Sequence, residues 1–196
     1  MIRDYFNEKA VTWDSYASER DASKLERMVK RLGLKPGMTV LDIGTGTGVF
    51  LPYLLKTIGR TGQVIALDIA EKMLLQAQGK CFAGEIVFLC ADVTDIPLQA
   101  ETCDVVVCYS SFPHFQNKPK ALQEMRRVLK KDGRVFICHT SGREAINHIH
   151  HMVPLLHHDL LPDSTAMKKL LQKADFTGIS VEDEADSYFA VGRKAD

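Results

Sequence analysis

Three glycines at alternate positions carry the sharpest chemical signal in this chain. They lie in the run Val40-Leu41-Asp42-Ile43-Gly44-Thr45-Gly46-Thr47-Gly48, after an apolar stretch and before a helix-like one. Glycine allows a tight reversal and a close approach of backbone to ligand. Amides at the start of the following helix can then face a polar ligand group. A dinucleotide loop puts its third glycine three residues after the second. Here that position is Val49 and the third glycine is Gly48, so a pyrophosphate grip is disfavoured. Carboxylates stand nearby at regular stations. Asp42 precedes the loop, where it could hold the loop or a ligand ammonium group. Asp68 ends the next apolar run, a position where a carboxylate accepts the hydroxyls of a ribose. Asp92 ends the third run and could accept from an exocyclic amine such as that of adenine. A single Asp at a strand end is ordinarily a turn-former. Three of them beside a triple-glycine loop point to a shared ligand.

The second signal is seven histidines. His114 follows the fourth apolar run and His139 ends the fifth. His148, His150, His151, His157 and His158 fall in the segment 143–161. All are expected beyond the carboxyl ends of the strands, where open α/β sheets place their sites. Three readings compete. His114 or His139 is a general base or orients an acceptor. Alternatively, His148 and His151 share a helix face at i, i+3, and His157 and His158 close on them after the Pro154 break to hold a metal or metalloid. The third reading is a polar cap whose histidines share no task. In each case these side chains titrate near neutrality and can make activity depend on pH.

Five short runs must position these groups: residues 40–43, 64–68, 86–90, 105–109 and 134–138. They are apolar throughout rather than alternating, the pattern of strands covered on both faces. Helical spacing fills residues 49–58, 71–78 and 119–131. Pro52 falls in a first turn, and Asp132-Gly133 supplies a stop. A helix is predicted over 22–32, its Lys24, Arg27, Lys30 and Arg31 interleaved with acids as on a solvated face. Ser164 is predicted to cap a helix reaching Ala174. The alternation gives an α/β fold with a doubly wound, mostly parallel sheet. Residues 178–184 and 187–191 read as an antiparallel C-terminal hairpin with Glu182, Asp183 and Glu184 at its exposed tip.

Composition bounds the function classes. The chain has 196 residues, 45% of them hydrophobic, which is ample for one core and too apolar for a disordered segment. Lys+Arg and Asp+Glu are both 25, so bulk charge offers nothing to nucleic acid. Cys81, Cys90, Cys103, Cys108 and Cys138 are odd in number and none forms a CxxC pair. They are expected as small buried hydrophobes rather than disulfides or a zinc knuckle. No membrane span is expected, and the charged start lacks the apolar core of a signal peptide, so a cytoplasmic location is expected.

Residues 40–48, Asp68, Cys90-Ala91-Asp92-Val93 and the stretch LKKDG at 129–133 resemble the class I S-adenosylmethionine-dependent methyltransferases, and the resemblance spans nearly the whole chain. Residues 5–17 are similar to the lid of that family's small-molecule branch, where Tyr5, Phe6, Trp13 and Tyr16 would either cover the cofactor or form a packed helix face. The resemblance implies a seven-stranded Rossmann-like sheet in one domain over 1–196, with a lid at 1–20 and an acceptor-side cap at 142–163. It also implies roles. Asp42, Gly44, Thr45, Gly46 and Gly48 would meet the methionine and adenosine parts of S-adenosylmethionine. Asp68 would take the ribose and Ile69 would contact adenine. Asp92 would read the adenine amine with Val93 behind it, and Ser110 would lie near the sulfonium. Tyr16, His148 and His151 would lie on the substrate side. The expected function is methyl transfer to a small molecule, which needs positioning and water exclusion, and a base only if the acceptor loses a proton. The alternatives are a metal- or metalloid-linked methyltransferase or binding protein that uses the histidine cap, with a divalent ion at His148, His151, His157 and His158, and a quinone-biosynthesis methyltransferase.

Overall fold

The computed structural model describes residues 2–15 and 21–195. Strands β1 (Thr39–Ile43), β2 (Gln63–Asp68), β3 (Glu85–Cys90), β4 (Cys103–Tyr109), β5 (Leu129–His139), β6 (Phe176–Glu184) and β7 (Ser187–Lys194) form one sheet in the order β3-β2-β1-β4-β5-β7-β6. The pairs from β3 through β5 are parallel, and β7 runs antiparallel to both β5 and β6. The expected mixed sheet with its terminal hairpin is therefore present. Chain order reverses between β1 and β4, so the carboxyl ends of these two strands open a crevice at the switch point.

Helices α1 (Ile2–Lys9), α2 (Ala22–Arg31), α3 (Leu51–Ile58), α4 (Glu71–Gln78), α5 (Lys118–Val128), α6 (Arg143–His151) and α7 (Ser164–Lys173) surround the sheet. The strand period of two sorts the apolar side chains onto two faces. Val40, Val64, Val105 and Phe136 pack with α2 and α3. Leu41, Ile65, Val106 and Val135 pack with α5 and α7. That is why the central runs are apolar at every position.

Three local expectations change. The third run is not covered on both faces: β3 is the sheet edge, Val87 is exposed, and Cys81 and Cys90 are exposed while the other three cysteines are buried. Helix α5 stops at Val128, not Lys131, because Leu129 turns extended and pairs with Cys103; the Asp132-Gly133 signal lies inside β5, with Asp132 at φ 61°. Asp163, not Ser164, caps α7 by accepting from the Ala166 amide. At the last hairpin Glu182 and Glu184 are exposed as expected, and two of its three acids also pair: Glu182 with Arg31 at 2.6 Å and Asp183 with Arg143 at 2.7 Å.

Candidate active site

The glycine loop turns back over the ends of β1 and β2. Its amides are largely spent inside the protein, mostly on the end of β2: Gly44 and Thr45 donate to the Leu67 carbonyl at 2.8 and 3.1 Å, Gly46 donates to Asp68 Oδ2 at 2.8 Å, and Gly48 donates to the Thr45 carbonyl at 2.9 Å. The loop thus offers a ligand its shape more than its amides. Gly44 (φ 72°) and Gly46 (φ 55°) both occupy the left-handed region that glycine adopts without strain. A Cβ at Gly44 would stand 2.3 Å from Ser111 Cβ, whereas a Cβ at Gly46 would meet nothing within 4 Å. Gly44 is glycine for packing, and Gly46 leaves one side of the loop open.

A cavity of about 270 Å³ begins at this open side, toward the small end for small-molecule sites. Asp42, Gly44, Thr45, Gly46, Asp68, Ile69, Asp92, Val93, Ser110 and His114 all line it. Burial drives the Asp42 carboxyl up to about 7, against the pull of the Thr45 hydroxyl donating at 2.7 Å, and Asp68 adds to the rise. Asp68 is raised as well, by burial above all, despite accepting from the Ala70 and Gly46 amides. Asp92 is exposed and accepts from the Thr94 amide and hydroxyl at 2.8 and 2.7 Å. Beyond β4, Ser110 adopts a left-handed backbone (φ 54°), unusual for a residue with a side chain. Its Oγ is buried and has no hydrogen-bond partner among the described residues. Ser111 Oγ donates to the Ile43 carbonyl at 2.6 Å and ties the end of β4 to β1.

Phe6 and Trp13 reach over the cavity from the N-terminal segment, and they also pack on Ala70 and Met73. Tyr5 does not line the cavity and instead meets the Phe6 ring edge-on. Asp14 anchors it: the carboxylate pairs with Lys80 at 2.7 Å and accepts from the Thr47 hydroxyl.

His114 ends the 3-10 turn Phe112–His114 and faces the far side of the cavity. Its Nδ1 lies 3.0 Å from Asp159 Oδ2, its ring meets Phe6 edge-on, and the His150 ring leans against it at 4.9 Å. Gln116 Nε2 donates to Asp159 Oδ1 at 3.2 Å, and His150 Nδ1 bonds the Asp159 carbonyl.

Several predicted site residues lie elsewhere. His139 is 1% exposed and does not line the cavity; burial, with His114 and His150 nearby, pushes its ring down to about 3. Gly48 packs against Leu51, Ala77 and Phe82 instead of lining the cavity. His148 and His151 are exposed on α6 and also lie off the cavity. The His157 and His158 rings contact each other, tilted by 39° with centroids 3.6 Å apart, and among the described residues no group of three His, Cys, Asp or Glu side chains could hold a metal. Tyr16 falls outside the described residues. Sequence reasoning missed Asp159 and Gln116. The available signal was that Asp159 is the only acid besides Glu144 in the histidine-rich segment 143–161.

Comparison with known proteins gives a consistent family. A methyltransferase domain model matches residues 41–137, the stretch that builds the glycine loop and the β1–β5 crevice. A ubiquinone/menaquinone biosynthesis C-methyltransferase of Idiomarina loihiensis is 31% identical over 146 residues, covering 70% of this chain and 58% of that protein. Phosphoethanolamine N-methyltransferase 1 of Zea mays is 28% identical over 189 residues, covering 92% of this chain and 36% of that protein. The chain thus spans only about half the length of the curated relatives it matches. A crystal structure of an S-adenosylmethionine-dependent methyltransferase from Aquifex aeolicus superposes with a TM-score of 0.70 at 28% identity, covering 90% of this chain and 95% of the other. Sheet order, loop and relatives agree that the chain belongs to the class I S-adenosylmethionine-dependent methyltransferase family.

Proposed function

We propose that this chain transfers a methyl group from S-adenosylmethionine to a small-molecule acceptor. The observation that carries this reading is one continuous cavity that runs from the glycine loop and three carboxylates to His114. The residues present fit the cofactor on two structural grounds. Gly46 leaves an open cradle, and Ser110 Oγ is a buried polar atom with no partner among the described residues. The acidic residues of the lining, Asp42, Asp68 and Asp92, suit a ligand with a cationic end and hydroxyl and amine donors.

When bound, S-adenosylmethionine supplies a methyl group on a sulfonium, already activated for in-line displacement. The chain's own work is then positional. Asp68 and Asp92 would hold the ribose and adenine ends against Ile69 and Val93. Asp42, Thr45 and Gly46 would hold the amino-acid end. Phe6 and Trp13, which line the cavity, would cover it and exclude water. The acceptor would enter between Ser110 and His114.

The similarity to a quinone-biosynthesis C-methyltransferase over 70% of this chain supports a second, narrower reading, an aromatic ring as acceptor. Calorimetric titration with S-adenosylhomocysteine and with NAD tests the cofactor. Binding of the former alone is expected, and its failure to bind overturns the reading. An acceptor panel of quinols, amines, hydroxy acids and phosphoethanolamine, read by S-adenosylhomocysteine release with and without divalent ions, then identifies the substrate class.

A further inference from the structure

We infer that Asp159 is a positioning residue that holds His114 in the one tautomer able to take a proton from the acceptor, so that this site methylates an atom that carries a proton, such as a hydroxyl, an ammonium or an acidic C–H. The inference rests on the methyltransferase reading above.

Three elements converge on Asp159, which is 7% exposed. His114 comes from the turn after β4, Gln116 from the loop that follows, and His150 from α6. Burial disfavours the carboxylate here, yet its pKa lies below the ordinary value: the His114 hydrogen bond and charge, Gln116 and Lys118 outweigh the burial. An ionised carboxylate only accepts, so His114 Nδ1 must carry the hydrogen of the 3.0 Å bond. With Nδ1 committed, Nε2 keeps its lone pair, and His114 lines the cavity. The charged and titratable groups around this ring are Asp159, His150, Lys118, His139 and Asp68. Burial shifts both His139 and His150 toward the neutral form, and each is further lowered by His114. Of the three neighbouring imidazoles, only His114 bonds a carboxylate that can stabilise an imidazolium.

The chemistry balances without a further reactant. As the acceptor atom bonds the methyl carbon, the carbon–sulfur bond breaks and its electron pair stays on sulfur. The acceptor's proton goes to His114 Nε2, the imidazolium pairs with Asp159, and solvent takes the proton at the end of the cycle.

Asp159→Asn tests this because Gln116 dictates how the new amide must sit. Gln116 Nε2 donates to Oδ1, so the amide oxygen stays there and the amide nitrogen faces His114 Nδ1. Nδ1 must then accept, the hydrogen moves to Nε2, and the wrong tautomer is trapped. Nitrogen-15 spectra of the His114 ring at neutral pH are expected to show Nδ1–H in the unmodified protein and in Asp159→Glu, and Nε2–H in Asp159→Asn. Diethyl pyrocarbonate should acylate His114 Nε2 in the unmodified protein and at least about tenfold more slowly in Asp159→Asn, since only the lone-pair nitrogen attacks. An Nε2–H tautomer in the unmodified protein, or equal acylation rates, would overturn the inference. S-adenosylhomocysteine titrations of the same samples separate the two claims. Loss of binding in the unmodified protein sinks the methyltransferase reading whatever the tautomer, whereas retained binding with the wrong tautomer sinks only the role of Asp159.

Discussion

Gly44 and Gly46 sit two residues apart with the same sign of φ, yet replacing them is expected to fail in opposite ways. Each alanine would adopt a left-handed backbone, at a cost of about 1 kcal/mol. At Gly44 the added Cβ also runs into Ser111 Cβ, whose own Oγ is tied to the Ile43 carbonyl, so neither side can yield. Gly44→Ala should therefore lower folding stability by about 3 kcal/mol or more, readable in urea unfolding. At Gly46 the Cβ points into open space beside the cavity, so Gly46→Ala should unfold within about 1 kcal/mol of the parent. Its S-adenosylhomocysteine affinity should nonetheless fall at least about tenfold, because the methyl occupies room the ligand needs. A Gly46→Ala protein that binds normally would show that the open side of the loop is not the ligand's seat. GxGxG was legible as a glycine loop from sequence. That one glycine serves the fold and the other the cavity depends on Ser111, 67 positions from Gly44 in the chain, which no local pattern encodes.

At the level of elements, the N-terminal segment and the sheet differ in how they are held. Helix α1 meets α4 through Glu71, which accepts from Arg3 at 2.9 Å and Asn7 at 3.0 Å; these bonds hold the Glu71 carboxyl down at about 2. Such exposed pairs stabilise little and weaken in salt. Beneath them, among the described residues, lies a small apolar cluster, Ala10, Ala70 and Met73 with Phe6 and Trp13. The sheet has its own two-sided core. Hydrogen exchange should accordingly open the amides of α1 at a far lower free energy than those of β4, and the gap should widen at high ionic strength. Trp13→Ala should leave the main unfolding transition within about 1 kcal/mol of the parent while weakening S-adenosylhomocysteine binding about tenfold. Equal exchange of α1 and β4 would mean that the segment belongs to the cooperative core. The central strands were legible because burial on both faces leaves an unbroken apolar run. The α5–β5 boundary was not, because Leu129 continues the helical apolar stripe until its pairing with Cys103 overrides it. Asp159 was equally hidden, since its role comes from a contact 45 residues away.

Across the whole molecule, equal numbers of acidic and basic residues conceal two buried groups whose proton affinities are displaced in opposite senses. Asp42, raised to about 7 mainly by burial, keeps its proton in the folded state between about pH 4 and pH 7 while the unfolded chain releases it. Folding stability therefore falls as pH rises through that window. His139, lowered to about 3 mainly by burial, stays neutral in the folded state between about pH 6.5 and pH 3 while the unfolded chain takes up a proton. Stability therefore falls as pH drops through that window. The windows overlap, and each group alone contributes a slope of up to about 1.4 kcal/mol per pH unit, so in the parent protein the two largely offset one another. Single substitutions should separate them. Asp42→Asn, which retains an acceptor for the Thr45 hydroxyl, should gain stability over the parent progressively from about pH 4 to pH 7 and level off above it. His139→Leu removes two ring nitrogens that have no partner among the described residues, so it should gain over the parent as pH falls below about 6.5. Taking differences from the parent cancels the contributions of distant groups such as Glu71 and Glu124, and urea unfolding from pH 4 to pH 8 supplies the measurement. Difference curves flat in pH would mean that neither group is buried as the structure has it. The Asp42 curve also bears on function. A cationic ligand end beside this carboxylate favours its ionised form, so S-adenosylmethionine binding should release a proton at pH 6, and the release should disappear in Asp42→Asn.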